Sequence, residues 1–252
     1  MLAKERQRVI VNQLRDAGSV RVAELARTLN VTEETIRRDL EKLDREGKLV
    51  RTHGGAMPLD EIGGELPFTV RSIDHLEAKR EIARTALQHV EEGDVLAFDA
   101  SSTAYELARI LPDVPLTVIT NSLAIPICLW KRTQIRIVMC GGSLDAPSLS
   151  FVGPLAEEFL RRFHVRKLFF STKGIDPERG LSVGADEHAR IKRCMLDFAD
   201  TRYLLADHSK FGAKALVYFA GLSEADHVIT DAATEPRWLE AFASLKAGGG
   251  RT

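Results

Sequence analysis

Cysteine is scarce in this chain. Cys128, Cys140 and Cys194 are the only three among 252 residues. They are odd in number and scattered, which excludes a disulfide framework and a cysteine-built metal site. Long apolar runs are also missing. The longest, Leu123 to Trp130, is interrupted by Pro126 and falls well short of the ~20 residues that cross a bilayer. The opening stretch MLAKERQR has no apolar signal core. No membrane association is expected, and a reducing cytoplasm is the expected compartment. Net charge is nearly absent, at a formal -1, so the chain as a whole does not advertise nucleic-acid binding. The histidines follow no metal-ligand spacing. His188, His208 and His227 therefore read as ordinary polar residues, and neither a metal nor a cofactor is expected. No internal repeat is found. With 44% apolar and 28% charged residues, disorder is excluded and a well-cored globular protein is expected.

Charge is unevenly placed. Residues 1–57 carry 12 Lys+Arg and 9 Asp+Glu, whereas the remainder carries 23 and 27. A mildly basic head on an acidic body suggests a modular DNA binder. In the head, residues 4–17 are predicted to form a helix with Val9, Ile10, Leu14 and Ala17 inward, stopped by Gly18. Residues 22–29 form a second, burying Val22, Leu25, Ala26 and Leu29. After a turn at Asn30-Val31, Thr32 caps a third helix running to about Glu46. Ile36, Leu40 and Leu43 give that helix a narrow buried stripe, and Gly47 ends it. Residues 48–56 suggest a small hairpin. Three short helices with a tight turn before the third make a helix-turn-helix. Its outer face offers Thr32, Thr35, Arg37, Arg38 and Lys42; Thr35 and the arginines suit base edges, whereas Lys42 and Arg51 suit phosphates. Arg51 and His53 lie on the hairpin, which could follow the backbone as a wing. The competing reading is a helical subdomain with a solvated charged face. Residues 58–74, rich in Pro and Gly at first, are expected to be linker.

From residue 75 to 252 helix and strand signals alternate, which predicts a mostly parallel sheet covered on both faces. Strands are expected at 95–98, 116–119, 135–140, 168–171, 202–206 and 227–230. Helices are expected at 77–90, 104–111, 123–131, 154–162, 187–199 and 236–246. Open α/β sheets bind ligands where strands end. The strand ends here deliver Asp99 with Ser101, Ser102 and Thr103, then Asn121-Ser122, then Gly141-Gly142. They continue with Lys173, Gly174 and Asp176, and with Asp207 and Lys210. Hydroxyls and free N–H groups at a helix start bind anions. Lysines neutralise phosphate, and carboxylates accept from sugar hydroxyls. A phosphorylated polyol uses both. Each feature also has a plain structural use: Ser101 as a helix cap, the glycines as turns, Asp207 and Lys210 as a surface pair.

The strings Val31-Thr-Glu-Glu-Thr-Ile-Arg-Arg-Asp-Leu40, Gly47 and Arg51-Thr-His-Gly-Gly-Ala56 resemble the DeoR family of sugar-metabolism repressors. So do Thr120–Ser122, Gly141-Gly142, Lys173–Asp176, Gly180-Leu181, Ile191–Arg193 and Ala206–Gly212. The resemblance spans nearly the entire chain. It implies an α/β protein with a small N-terminal winged helix-turn-helix and a larger, mostly parallel sensor domain similar to ribose-5-phosphate isomerase. It also adds Glu187 and Lys192 to the expected effector residues. Two departures stand out. The family's first loop is usually Asp-x-Gly-Thr-Thr, where this chain has Ser101 and Ser102 for the Gly and first Thr, losing a flexible backbone position. His188 interrupts an acidic run near Glu187.

The expected function is a repressor of a sugar-catabolism operon. It would bind double-stranded operator DNA, respond to a phosphorylated sugar, and act as a homodimer or tetramer built through the body. The alternative is a sugar-phosphate isomerase-like enzyme with an appended DNA-binding head, using Lys173, Asp176 and Glu187 for proton transfer. A metabolic isomerase has no use for such a head, so no enzymatic activity is expected.

Overall fold

The computed structural model describes residues 2–17, 19–46, 48–52, 54–57 and 66–248. The chain divides into two compact units, 1–70 and 71–252.

The first unit contains α1 (Ala3–Ala17), β1 (Val20–Arg21), α2 (Val22–Thr28), α3 (Glu33–Arg45), β2 (Val50–Thr52) and β3 (Gly55–Met57). Ile10, Leu14, Leu25, Ile36, Leu40, Leu43 and Leu49 form its core. Ala17 was expected to face inward but is exposed; it is the last residue of α1, one turn beyond Leu14. Asn30 takes the left-handed turn conformation at φ 51°. The expected hairpin is present as β2 and β3, and β1 pairs with the free side of β3. That third strand went unpredicted because two residues carry no periodicity. Gly18 and Gly47 lie outside the described residues.

The 58–74 stretch is not linker throughout. Residues 58–65 lie outside the described residues, but α4 (Phe68–Arg71) is helical and crosses the boundary between the units. The end of the stretch is built into the second unit. Arg71 donates to the Ser148 carbonyl at 3.3 Å, and the Lys79 ammonium donates to the carbonyls of Arg71 and Asp74 at 2.5 Å each.

The second unit runs α5 (Leu76–Leu87), β4 (Val95–Phe98), α6 (Ser102–Arg109), β5 (Leu116–Thr120), α7 (Ala124–Leu129), β6 (Ile135–Met139), β7 (Ser143–Asp145), β8 (Ser150–Val152) and α8 (Pro154–Leu160). It continues with β9 (Val165–Phe170), β10 (Gly174–Asp176), β11 (Gly180–Val183), α9 (Asp186–Asp197), β12 (Ala199–Leu205), β13 (Val217–Ala220), β14 (His227–Ile229) and α10 (Pro236–Gly248). Six strands form one parallel sheet in the order β14-β12-β9-β4-β5-β6. Its two faces carry separate cores, and side chains alternate between them as strand geometry requires. Leu96, Phe98 and Phe169 pack with Ile82 and Leu107. Ala97, Leu168 and Phe170 pack with Leu160, Ile191 and Met195.

β9 starts three residues earlier than predicted. Arg166 and Lys167 hid its beginning, because Lys167 is buried by pairing with the fully buried Asp94 at 2.8 Å. An antiparallel sheet, β10-β11-β13, and the β7–β8 hairpin were not foreseen. Their strands have three or four residues, too few for a pattern. Among the described residues, no helix is long and apolar enough to cross a membrane.

Candidate functional site

Two sets of candidate residues stand out, one in each unit. In the first unit, Thr32 caps α3 by accepting from the Thr35 amide at 3.2 Å. The two hydroxyls also bond to each other at 2.9 Å, so both threonines are engaged in the cap. Arg37 and Arg38 are exposed and rest on Glu33 and Glu34 one turn earlier, at 2.7 and 3.2 Å. Exposed pairs of this kind contribute little, so either arginine can leave its glutamate at small cost. Lys42 and Arg51 are exposed as expected. His53 lies outside the described residues. Beneath this face is a feature the helical reading missed. Asp39 is buried on the inner side of α3, where it accepts from Arg6 at 2.5 Å and from Gln7 at 2.8 Å. The buried stripe of α3 is therefore three apolar residues and one carboxylate.

In the second unit, all six parallel strands end on one edge, and the expected loops gather there. Asp99 follows β4 and is buried. It accepts from the amides of Ser101 at 3.1 Å and Ser171 at 3.0 Å, and from the Lys192 ammonium. Lys192 also donates to the Ser171 carbonyl at 2.8 Å. The Asp99–Lys192 pair thus ties the ends of β4 and β9 to α9. Ser101 is the N-cap of α6, accepting from Ala104 at 3.1 Å. Ser102 and Thr103 are buried in the first turn. Ser122 caps α7 through the Ala124 and Ile125 amides. The Asn121 amide donates to the Phe151 carbonyl at 3.2 Å, while its buried Oδ1 has no hydrogen-bond partner among the described residues.

Other expected residues have structural surroundings of their own. At Gly142 (φ +126°) a Cβ would lie 2.7 Å from the Val152 carbonyl oxygen. The close approach it permits is to the chain's own backbone. At Gly174 the corresponding clash is with Ala213 at 2.4 Å. Gly141 is open and exposed. Lys173 lies just ahead of β10, with its amide on the Ser182 carbonyl. Glu187 is exposed on the first turn of α9. His188 beside it reaches Asp145 at 3.1 Å.

Asp176 closes the β10–β11 hairpin. Its carboxylate is held at a pKa of about 2 by the Lys214 ammonium at 2.9 Å and by the Arg179 and Glu178 amides. A carboxyl so committed to a turn is a poor proton-transfer group. An NMR titration is expected to place its midpoint near that value, and Lys214→Ala to move it up toward the ordinary carboxylate range. The paired form stabilises the fold above the unfolded pKa of ~3.9 and is lost as pH falls toward about 2. A midpoint unchanged by Lys214→Ala would show that the lysine has no part in it.

Asp207, expected with Lys210 among the effector residues, is fully buried, so the alternative reading of the two as a surface pair does not hold. Burial works to raise its pKa, but Lys210, the Ser209 hydroxyl and Lys79 together hold it below the usual range. Lys79 itself was missed. It is buried, and its pKa is pushed down to about 8 by burial and by neighbouring Lys210. The signal was present: position 79 shares the apolar stripe of Ile82, Ala83 and Ala86. Asp231, just past β14, was also missed, because that strand end was not followed outward. It accepts from both the amide and the ring of His208, each at 2.7 Å.

The chain matches the model of the DeoR-like helix-turn-helix domain over residues 6–61 and that of the DeoR C terminal sensor domain over residues 74–232. It is 43% identical over 246 residues to an uncharacterized HTH-type transcriptional regulator, YulB, of Bacillus subtilis (strain 168), covering 98% of this chain and 95% of that one. It is 36% identical over 228 residues to the L-fucose operon activator of Haemophilus influenzae, covering 90% and 91%. Ribose 5-phosphate isomerase A of Methanocaldococcus jannaschii aligns at a TM-score of 0.40 with 18% identity, over 54% of this chain and 55% of that one. A similarity at that level leaves function to be argued from the site and the regulators.

Proposed function

The chain belongs to the DeoR family of transcriptional regulators, and from that premise we propose that it represses a sugar-catabolism operon under the control of a phosphorylated sugar. The observation that carries the sugar-phosphate reading is the group at the ends of β4, β5 and β9. Asp99 and Lys192 are paired there, a helix begins with Ser101, Ser102 and Thr103, and Asn121 keeps a buried acceptor unused. The α6 N-terminus offers N–H groups and a positive dipole end to a phosphate. Lys192, together with Lys173, supplies the counter-charge. Asn121 Oδ1 and Asp99 accept from sugar hydroxyls. In the first unit, α3 enters the major groove, with Arg37 and Arg38 toward base edges and Lys42 and Arg51 toward phosphates. Assembly into a homodimer or tetramer completes the reading, since a single head contacts one half-site. The relative from H. influenzae is named an activator, so the sign of regulation is specific to each operon.

The test is operator binding by the purified full chain, using the promoter DNA beside its own gene and fluorescence anisotropy. Arg37→Ala or Arg38→Ala is expected to cost about 1–3 kcal/mol of specific binding. A sugar phosphate is expected to weaken binding, while the same sugar without its phosphate leaves it unchanged. Variants that bind like wild type would remove α3 as the reader. Indifference to every pentose and hexose phosphate would remove the effector.

A further inference from the structure

We propose that His75, Asp207 and His208 form a binding site for a divalent transition-metal ion of the Zn2+ class. The chain folds three ligand atoms, one from each residue, to within 4.8 Å of one another. The 130 or so positions separating His75 from the other two hid this grouping in the sequence.

Each ligand is prepared in a different way. Asp207 is fully buried. Its Oδ1 accepts from the Ser209 amide at 3.0 Å and from the Ser209 hydroxyl. Its Oδ2 is buried with no hydrogen-bond partner among the described residues; the nearest cation is the Lys210 ammonium at 3.7 Å. A buried carboxylate oxygen left without a donor is uncommon and calls for an explanation.

His208 carries the arrangement typical of a metal-bound imidazole. Nδ1 faces Asp231 Oδ2 at 2.7 Å, and the backbone amide fixes the other Asp231 oxygen at the same distance. A ring that donates from Nδ1 to a carboxylate presents its lone pair on Nε2, which is the role of the outer carboxylate in His-metal sites.

His75 sits at the start of α5 in the left-handed conformation, φ 47° and ψ 36°, uncommon for a residue other than glycine. The buried Lys79 ammonium holds the turn before it through the Arg71 and Asp74 carbonyls. In that turn the His75 ring meets His208 edge-on, with centroids 5.0 Å apart.

Two imidazoles and one carboxylate suit Zn2+, Ni2+ or Fe2+ rather than Mg2+ or Ca2+. Tetrahedral bonds of ~2.1 Å place ligand atoms about 3.4 Å apart. The exposed His75 closes the set by side-chain rotation as Lys210 swings off Asp207. Asp207 and Asp231 offset the charge of the two nearby lysines. Three protein ligands leave one position open for water or an anionic oxygen.

Binding of the metal alone, with no sugar present, tests this independently of the effector reading. The full-length protein is stripped with a chelator, then titrated with Co2+ by visible absorption and with Zn2+ by equilibrium dialysis. One ion per chain is expected. His75→Ala and His208→Ala are expected to abolish the Co2+ band, and Asp231→Asn to weaken affinity roughly 10–100-fold. His164→Ala, an exposed histidine paired with Asp200, is expected to change nothing. Because His75 is exposed, its variant keeps the fold, checked by an unchanged thermal unfolding curve, and decides the matter if His208→Ala is unstable. No Co2+ band in wild type, or a band that survives His75→Ala, would overturn the proposal.

Discussion

Asp39→Ala is expected to destabilise the first unit by about 3–5 kcal/mol and to abolish DNA binding, although Asp39 faces away from the surface of α3. Its carboxylate is buried against Arg6 and Gln7 of α1. The side chains of Arg6 and Asp39 are 11% and 6% exposed, so solvent screens the pair little. Removing one partner of such a pair strands the other charge in a low-dielectric interior, and that stranded charge sets the magnitude. A unit of only 70 residues has little stability to lose. The measurement is chemical denaturation followed by hydrogen exchange, with the first unit opening at lower denaturant and the second keeping its own transition. The double replacement Arg6→Met with Asp39→Leu is expected to recover most of the loss. An apolar pair of similar volume carries no desolvation penalty, though Gln7 then lacks a partner. If the single variant unfolds no earlier than wild type, the pair is not what holds α1 to α3.

Lys192→Met is expected to have an effect of similar size in the second unit and to uncouple DNA binding from the proposed effector. Asp99 would keep the Ser101 and Ser171 amides but lose its counter-charge, while its side chain is 2% exposed. Stranding a carboxylate there costs on the order of 3–5 kcal/mol, which lowers the thermal midpoint of this unit by roughly 6–20 °C. The proposed effector pocket loses its cation at the same time. Operator binding by Lys192→Met is therefore expected to persist below that midpoint and to ignore sugar phosphates. A variant that keeps wild-type stability would show the pair to be dispensable. One that keeps its response to sugar phosphate would move the pocket elsewhere.

The difference between the two ion pairs shows what could be read from the chain before folding. Lys192 was reached through the family resemblance, and Asp99 because it directly follows an apolar strand. Asp39 was passed over because its neighbours Arg37, Arg38 and Lys42 make it look like one more surface charge. Its partner lies 33 residues away on another helix, and no local pattern reports such a contact. Lys79 and Lys167 were hidden in the same way. Each is a lysine at a buried position, stabilised by acceptors that only folding supplies.

The amino-acid order by itself determined the helix-turn-helix, the six apolar strands and the loops that follow them, because hydrophobic periodicity and capping act over a few residues. Tertiary structure alone decided which polar groups at those loops are spent on the fold and which are left over. Asp176 and Gly142 serve a hairpin and a close backbone approach, whereas Asn121 and Asp207 each keep a buried oxygen with no hydrogen-bond partner among the described residues. The reason is physical: a polar atom's availability depends on what lies within 3 Å or so of it, and for a buried atom those neighbours come from distant parts of the chain.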